Sequence, residues 1–308
     1  MKVPVINFSN EDLKPGTLEW DLVKAQVRQA IHEYGCFEAS FGKILEVQKP
    51  LFGAMEELFD LPLQTKQLCV SDKPLRGHVL RVGLNSERIL IDDANVAESI
   101  EQHLTNILWP QGNSNFSKTL FSFSEIASGL EKKIRRMILE SFGVEKYADE
   151  LIDSTNYKLR LIKYEGQTNS QSNEPTLRAR AHYDPNMVTL LYQNEINGLE
   201  IQTKHGEWIS VKPSPDSFIV MTGESLSVWL NGRLPSPNHR VMMVTENKAR
   251  YCAGLFAAPK GGYQVKIPEE LVDEQNPLMF KPFDFEEFLE FHVSKEHLSA
   301  GLKAYCTI

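Results

Sequence analysis

Apolar positions in the first half of the chain follow helical spacing in three places. Residues 17–34 carry an apolar stripe that ends at Gly35, and residues 45–59 form a second predicted helix. The longest stripe begins after Asn113 and closes at Gly143, a predicted C-cap. Its apolar positions recur at intervals of three to five residues: Phe116, Leu120, Phe123, Ala127, Leu130, Ile134, Met137 and Phe142.

The second half changes to short runs typical of β-strands, separated by clusters of Gly, Pro and Asn. Together with one short run in the first half, the predicted strands are residues 36–41, 157–164, 188–193, 217–221 and 250–256. Several short strands at this spacing indicate a sandwich or barrel. The predicted fold class is therefore mainly β with flanking helices.

These patterns divide the chain at about residue 150. Residues 1–150 are expected to form a mainly helical region that packs on a β core of residues 151–308, so that both make one compact unit. Within the second half, residues 166–176 are polar and predict a loop. Residues 283–303 predict a C-terminal helix.

Composition restricts the classes of protein. The 308 residues contain 33 Lys and Arg against 41 Asp and Glu, for a net charge of −8. This balance argues against a protein that binds nucleic-acid phosphates and against a polybasic membrane anchor. The apolar runs are far shorter than the ~20 residues of a membrane span, and the start turns polar at residues 9–12 without a signal peptide's apolar segment. Four scattered cysteines predict reduced thiols, so we expect a soluble, cytoplasmic protein, with an enzyme fitting best.

The informative chemistry lies in His182, Asp184 and His239. On a strand, residues i and i+2 point to the same face, so His182 and Asp184 can present an imidazole and a carboxylate to one point. His239, on a neighbouring strand, would complete a set of two histidines and one carboxylate. This set binds one face of an octahedral metal and leaves three positions open, as in non-haem Fe(II) oxygenases.

A second His-x-acid pair, His205 and Glu207, shows that this spacing alone has little specificity. Eight histidines in a chain with 41 acidic residues produce about one such pair by chance. His205 and Glu207 lie in a polar stretch with Gly206 between two predicted strands. We therefore expect an exposed hairpin tip without function.

Arg250 gives the His182 pair independent support. If the segments at His239 and Arg250 form a hairpin around the polar residues 246–248, Arg250 lies three or four residues further along the sheet. That separation is roughly 10–13 Å of strand. A guanidinium there could bind the far carboxylate of a five-carbon diacid that chelates the metal. The alternative for Arg250 alone is a salt bridge at the rim.

With these residues in place, the sequence resembles the plant-type 2-oxoglutarate/Fe(II)-dependent dioxygenase family over nearly its whole length. The motifs follow in family order: VPVINFSN at 3–10, YGCF at 34–37, LFDLP at 58–62, HYD at 182–184, LLYQ at 190–193, NGLE at 197–200, Trp208, NGR at 231–233 and NHRV at 238–241. Three more motifs resemble the subgroup of alkenyl/hydroxyalkyl-producing glucosinolate enzymes and steroidal glycoalkaloid hydroxylases: WP at 109–110, KPS at 212–214 and FKPF at 280–283.

The resemblance implies a double-stranded β-helix core, the jelly-roll of cupin-like proteins, with helices packed outside. It implies that His182, Asp184 and His239 hold Fe(II), that Arg250 binds the distal carboxylate of 2-oxoglutarate, and that Tyr164 helps to hold it. The implied reaction consumes O₂, converts 2-oxoglutarate into succinate and CO₂, and oxidises a substrate C–H bond. Ascorbate is expected to keep the iron reduced.

Two positions depart from the family pattern. The usual Arg-x-Ser motif is Arg250-Tyr251-Cys252, and Ile162 replaces the amide of the upstream Arg-x-Asn-x-Tyr motif. A thiol donates a weaker hydrogen bond than a hydroxyl, so Cys252 is expected to weaken or shift 2-oxoglutarate. Neither departure affects a predicted metal ligand.

For the substrate, the expected outcome is hydroxylation of a small plant specialised metabolite such as an alkaloid, steroidal glycoside or glucosinolate. The alternatives are an auxin-type hormone oxidase and a non-catalytic ligand-binding protein on the same fold. Arg180 shares strand parity with His182, so it could anchor the substrate or form a structural ion pair. Trp229 could line the pocket or the core, and Tyr183 is expected to pack on the opposite face. We expect a monomer with neither nucleic-acid nor membrane partners.

Overall fold

Two β-sheets of eight and four strands form the centre of the computed structural model, which describes residues 2–166, 174–243, 248–293 and 301–308. The major sheet has the order β1-β2-β10-β7-β12-β5-β4-β3, and the minor sheet has the order β6-β11-β8-β9. The strands are β1 Val5–Asn7, β2 Cys36–Ser40, β3 Gly77–Arg81, β4 Ser86–Ile91, β5 Thr155–Tyr164, β6 Thr176–His182, β7 Val188–Gln193, β8 Leu199–Gln202, β9 Trp208–Ser210, β10 Ser217–Thr222, β11 His239–Met243 and β12 Arg250–Pro259, with a separate pair β13 Gln264–Val265 and β14 Phe283–Asp284. All pairings are antiparallel except β1 with β2.

Helices cover the outer face of the major sheet. The longest, α6, packs on β5, β7 and β12, while α1 and α2 pack on α6. The helices are α1 Leu18–Tyr34, α2 Leu45–Asp60, α3 Leu63–Lys66, α4 Ala97–Ile100, α5 Asn106–Leu108, α6 Ser114–Ser141, α7 Ala148–Asp153, α8 Glu224–Trp229, α9 Phe285–Val293 and α10 Leu302–Cys306. The apolar side of α6 and the outward residues of the major sheet share one core, so the inner face of that sheet is left for the site.

The predicted helix ends are confirmed by their caps. Thr17 accepts a hydrogen bond from the backbone N–H of Trp20 at 3.2 Å, and Gly35 closes α1 with a φ of +69°. Asn113 caps α6 in the same way, and Gly143 follows the helix with a φ of +70°. Positive φ favours glycine because it has no Cβ.

A buried ion pair fixes β5 to α6. Glu131 accepts hydrogen bonds from Arg135 at 2.9 Å and from the Tyr157 hydroxyl at 2.8 Å. Arg135 also donates to the Thr155 hydroxyl at 2.7 Å. The pair therefore holds β5 in place. The opposite face of β5, which includes Tyr164, lines the candidate site.

The structure adds a hairpin that the mainly helical prediction for residues 1–150 missed. Strands β3 and β4 join the edge of the major sheet, where β4 pairs with β5. Ile89 and Ile91 on β4 are β-branched residues at alternate positions, which is a strand signal. Of the predicted polar loop, residues 167–173 lie outside the described residues, and β6 begins at Thr176. The predicted C-terminal helix is present as α9 and α10, with residues 294–300 outside the described part.

The expected hairpin between the segments of His239 and Arg250 is wrong. Strand β11 pairs with β6 and β8 in the minor sheet, whereas β12 pairs with β5 and β7 in the major sheet. The chain thus crosses between the two sheets after β11, as jelly-roll topology requires. The polar residues 246 and 247, on which the hairpin was centred, lie outside the described residues.

Two further observations concern the state of the cysteines and the length and polarity of the helices. All four cysteines are free and buried. Across the described residues, no helix combines the length and the apolar character that a membrane crossing requires.

Candidate active site

His182, Asp184 and His239 come together where β6 ends and β11 begins. His182 and His239 are direct cross-strand partners, and Asp184 follows two residues after the end of β6. The Asp184 Oδ1 lies 3.7 Å from the His182 Nε2 and 3.8 Å from the His239 Nε2. One donor atom from each residue falls within 4.8 Å of the other two, which is compatible with a single metal ion between them.

Hydrogen bonds orient both imidazoles toward that point. The Nδ1 of His182 donates to the carbonyl of Arg180 at 2.8 Å, and the Nδ1 of His239 donates to the carbonyl of Pro237 at 3.3 Å. A carbonyl can only accept, so each Nδ1 carries the proton and each Nε2 keeps a free lone pair. Such outer partners fix the tautomer and the ring direction of metal-binding histidines.

The electrostatics keep His182 and Asp184 in their metal-binding forms. Although 44% of the His182 side chain is accessible, the loss of hydration inside the cavity lowers its pKa to about 4. The neighbouring His239 contributes to this decrease. Burial alone would raise the pKa of Asp184, but His239, His182 and Thr189 together hold it below its usual value. Neutral His182 and ionised Asp184 are the protonation states that a divalent metal needs.

Asp184 is braced by groups that sequence reasoning missed. The Thr189 hydroxyl on β7 donates to the Asp184 Oδ2 at 2.7 Å, and Asn186 donates to the Thr189 Oγ1 at 3.1 Å. The backbone N–H of Glu224 donates to the Asp184 carbonyl at 2.8 Å. The bond from Thr189 occupies Oδ2, and Oδ1 faces the two histidines.

We expect Thr189→Val to weaken metal binding by roughly 10- to 100-fold, because outer-sphere partners of metal ligands typically contribute that much. Valine matches the shape of threonine and removes only the hydroxyl. Fe(II) or Mn(II) affinity measured by anaerobic calorimetry checks this result. Thr203→Val, in the exposed β8–β9 turn, is the matched control, and equal affinities in all three proteins would contradict the role of Thr189.

Arg250 is a buried cation with unused donors. Its Nη2 donates to the Gln193 Oε1 at 2.7 Å, whereas its Nε and Nη1 are buried without a hydrogen-bond partner among the residues that the structure describes. The guanidinium lies 5.1 Å from the ring centre of Tyr164, its cross-strand partner. Burying a charge without a counter-ion is costly, so this arrangement fits an anionic ligand such as a carboxylate.

Cys252 and Ile162, the two residues that depart from the family pattern, lie beside Arg250. They are cross-strand partners, and both line the same cavity as Arg250 and Tyr164. Burial raises the pKa of the Cys252 thiol, so it stays protonated. The wall that would receive the diacid is therefore less polar than the usual serine and asparagine would make it.

One cavity of about 840 Å³ joins the metal cluster to Arg250. Most of the predicted site residues line it: His182, Asp184, His239, Arg250, Tyr164, Cys252 and Arg180. Trp229 does not line the cavity. It lies at the end of α8, buried in the hydrophobic core with its ring 5.7 Å from the ring of Tyr147, so this geometry gives its substrate role no support. Tyr183, expected to pack, is 49% exposed and forms part of the cavity wall because the strand ends at His182.

The second His-x-acid pair behaves as expected. His205 and Glu207 are exposed in the turn between β8 and β9. Neither belongs to the cluster of potential metal ligands in the described part of the chain, which consists of His182, Asp184 and His239.

Two facing sheets with a two-histidine, one-carboxylate cluster and a buried arginine define a non-haem iron oxygenase of the jelly-roll class. Comparison with protein families agrees: residues 155–259 match the 2OG-Fe(II) oxygenase superfamily. Residues 3–99 match the family described as non-haem dioxygenase in morphine synthesis N-terminal.

The chain belongs to the 2-oxoglutarate-dependent dioxygenases. It is 48% identical over 294 residues to the probable 2-oxoglutarate-dependent dioxygenase AOP1.2 of Arabidopsis thaliana, covering 94% of this chain and 90% of that protein. It is also 33% identical to the probable inactive 2-oxoglutarate-dependent dioxygenase AOP2 of the same plant, covering 100% of this chain and 98% of that protein. It is thus an oxidoreductase of plant specialised metabolism that uses Fe(II) and 2-oxoglutarate.

Solved structures share the fold. The dioxygenase for auxin oxidation from rice superposes with a TM-score of 0.83 at 23% identity, covering 100% of both chains. The Arabidopsis thaliana dioxygenase for auxin oxidation 1, solved with 2-oxoglutarate, gives a TM-score of 0.78 at 20% identity, covering 89% of this chain and 99% of that one. These matches confirm the predicted jelly-roll architecture.

Proposed function

We propose that this protein hydroxylates a C–H bond of a small plant metabolite at the cluster of His182, Asp184 and His239. The observation that supports this most directly is the pairing, in one cavity, of three converging metal donors with a buried arginine that has no counter-ion in the described part of the chain. The metal cluster suits Fe(II), and Arg250 with Tyr164 suits the distal carboxylate of 2-oxoglutarate. A metal-dependent hydrolase would not need the buried Arg250.

Each side chain has a separate task in this proposal. His182, His239 and the Oδ1 of Asp184 hold Fe(II), and Thr189 fixes Asp184 in its orientation. Arg250 and Tyr164 orient the diacid, and Cys252 contacts it at the position of the usual serine. Fe(II) with 2-oxoglutarate and O₂ supplies the oxidising power and yields succinate and CO₂. The apolar parts of the cavity exclude water, and Arg180, exposed at its wall, contacts the substrate.

An anaerobic titration tests this function. The metal-free protein receives Fe(II) and then 2-oxoglutarate while its visible absorption is recorded. We expect a weak charge-transfer band that needs both additions, because it arises when the diacid chelates bound iron. Iron binding without the band would contradict the proposed cosubstrate site, and failure to bind iron would contradict the metal site.

Cys252→Ser tests the part of the cavity wall where Cys252 stands in place of the usual serine. We expect 2-oxoglutarate affinity to stay equal or to increase, by up to roughly tenfold, because a hydroxyl donates a stronger hydrogen bond than a thiol. Calorimetry on the Mn(II)-loaded protein measures it, with buried Cys36→Ser, in β2, as the matched control. A large loss of affinity in Cys252→Ser alone would mean that the thiol has another role.

Two alternatives have specific support. An auxin-type hormone oxidase is favoured by the likeness to the two structures of dioxygenases for auxin oxidation. A binding competition between indole-3-acetate and a polycyclic glycoside would separate it from the main proposal.

A non-catalytic binding protein is favoured by Cys252, Ile162 and the relative named as probably inactive. The complete set of His182, Asp184 and His239 counts against it. A monomeric, cytoplasmic enzyme remains our proposal from composition alone.

A further inference from the structure

The start of helix α8 is bonded to the backbone that carries the metal ligand Asp184. The backbone N–H of Glu224 donates to the Asp184 carbonyl at 2.8 Å, and the backbone N–H of Gly223 donates to the Met187 carbonyl at 2.8 Å. A Cβ at Gly223 would lie 1.9 Å from the carbonyl oxygen of Asn186, so this close approach requires glycine. The start of α8 and the backbone of Asp184 are therefore joined as one unit.

The side chain of Glu224 bonds in the other direction, to the C-terminal end of the chain. Glu224 is buried and lines the cavity, and its Oε2 accepts a hydrogen bond from the backbone N–H of Leu302 at 2.9 Å. The preceding residue, Gly301, lies so close that a Cβ there would be 3.1 Å from the Glu224 Oε1. Glu224 therefore contacts Asp184 through its backbone and the C-terminal end through its carboxylate.

Residues 301–306, which we call the C-terminal wall, form part of the cavity. Three of them line it: Gly301, Lys303 and Ala304. Leu302 and Cys306 are fully buried, and α10 packs on α8. The backbone N–H of Lys281 donates to the Cys306 carbonyl at 2.8 Å. Glu224 thus fixes the beginning of the C-terminal wall, and Lys281 fixes its end.

A residue that bonds to two segments links the stability of one to the stability of the other. Metal bound to Asp184 restrains the backbone of that residue, and the start of α8 is bonded to the same backbone. The Glu224 carboxylate extends this connection to the C-terminal wall. Such a linkage is reciprocal, because two binding events that favour the same arrangement strengthen each other by the same factor.

We propose that Glu224 is a positioning residue that couples the metal ligand Asp184 to the C-terminal wall of the cavity. A divalent metal at the cluster stabilises docking of the wall, and the docked wall strengthens metal binding by the same factor, about 5- to 150-fold for couplings of this kind. The inference rests on the metal site of the proposed function and goes beyond it. It makes the stability of a wall of the substrate cavity depend on the metal.

Hydrogen exchange of the backbone amides of residues 301–306, measured on the full chain by mass spectrometry, tests the coupling. We expect Mn(II) to slow this exchange by about 5- to 150-fold. In Glu224→Ala the exchange should be faster and insensitive to Mn(II), and the Mn(II) affinity measured by calorimetry should fall by about the same factor. Glu224→Gln keeps an oxygen that accepts from the Leu302 N–H and should retain most of both effects.

Glu38→Ala is the matched control. Glu38 in β2 is also buried and accepts a hydrogen bond from a distant backbone N–H, that of Ser214 at 2.8 Å, but it does not line the cavity. Its loss should leave Mn(II) affinity and exchange at residues 301–306 unchanged. Gly301→Ala crowds the Glu224 carboxylate and should speed the exchange in the unchanged protein, but not in Glu224→Ala, where the space is free.

The outcomes separate the coupling from the metal site. Exchange at residues 301–306 that does not respond to Mn(II), in a protein that binds Mn(II), would overturn the coupling and leave the proposed function intact. Equal losses of Mn(II) affinity in Glu224→Ala and Glu38→Ala would assign the effect to a general loss of stability and would also overturn it. If the protein binds no Mn(II), the metal site and the inference fail together.

Discussion

We expect Asp184→Ala to abolish Fe(II) binding and turnover. The substitution removes the only anionic ligand of the cluster and leaves His182 and His239, two neutral donors, to hold a dication. Since outer-sphere partners alone contribute up to about 100-fold, loss of a direct ligand should weaken binding by at least about two orders of magnitude. Anaerobic calorimetry with Fe(II) and succinate release measure the two losses.

Glu207→Ala is the control for that experiment. It removes the carboxylate of the other His-x-acid pair, which is exposed in the β8–β9 turn, and should leave iron binding and turnover unchanged. Circular dichroism establishes that both variants fold. Equal losses in Asp184→Ala and Glu207→Ala would overturn the assignment of the two pairs.

The second large effect is expected from Arg250→Gln. Glutamine cannot supply the charge that Arg250 brings to the buried end of the cavity, where Gln193 is the one hydrogen-bond acceptor of Arg250 among the described residues. Removing one partner of a buried, hydrogen-bonded charge pair costs about 2–5 kcal/mol, which corresponds to roughly 30- to 5,000-fold in 2-oxoglutarate affinity. Calorimetry on the Mn(II)-loaded variant measures this loss.

Metal affinity separates this effect from damage to the fold. Arg250 lies in the major sheet and the two histidines in the minor sheet, so Arg250→Gln should bind Mn(II) as the unchanged protein does. Arg136→Gln, in α6 and outside the cavity, is the matched charge control. An Arg250→Gln variant with normal 2-oxoglutarate affinity would show that the diacid binds elsewhere in the cavity.

Local sequence patterns predicted the helices and the metal cluster well because both depend on near neighbours. Thr17, Gly35 and Asn113 determine helix ends within one turn, whatever the tertiary structure. His182 and Asp184 are two residues apart, so they lie close together even though Asp184 follows the end of β6. Only His239 required an assumption about a neighbouring strand, and the register bears it out.

Features that depend on long-range pairing were missed or misplaced. The β3–β4 hairpin takes its stability from pairing with β5, some 70 residues later, so a first half rich in helices gave little reason to expect it. The crossing between β11 and β12 depends on which sheet each strand joins, which neighbouring residues do not specify. Thr189 is an ordinary β-branched residue in a strand, and only the fold reveals its bond to Asp184.

The division of the site between two sheets has a consequence for how such an enzyme can diverge. The histidines belong to the minor sheet, whereas Arg250, Cys252 and Ile162 belong to the major sheet. A mutation at one of these three positions of the major sheet alters the wall for the organic acid and leaves the strands of the two histidines unchanged, although Thr189 of the same sheet braces Asp184. Affinity for the organic acid can therefore drift over generations while the capacity to hold a metal is retained. The thiol and the isoleucine in this chain are departures of that kind, because both lie in the cavity wall formed by the major sheet and neither is a metal ligand.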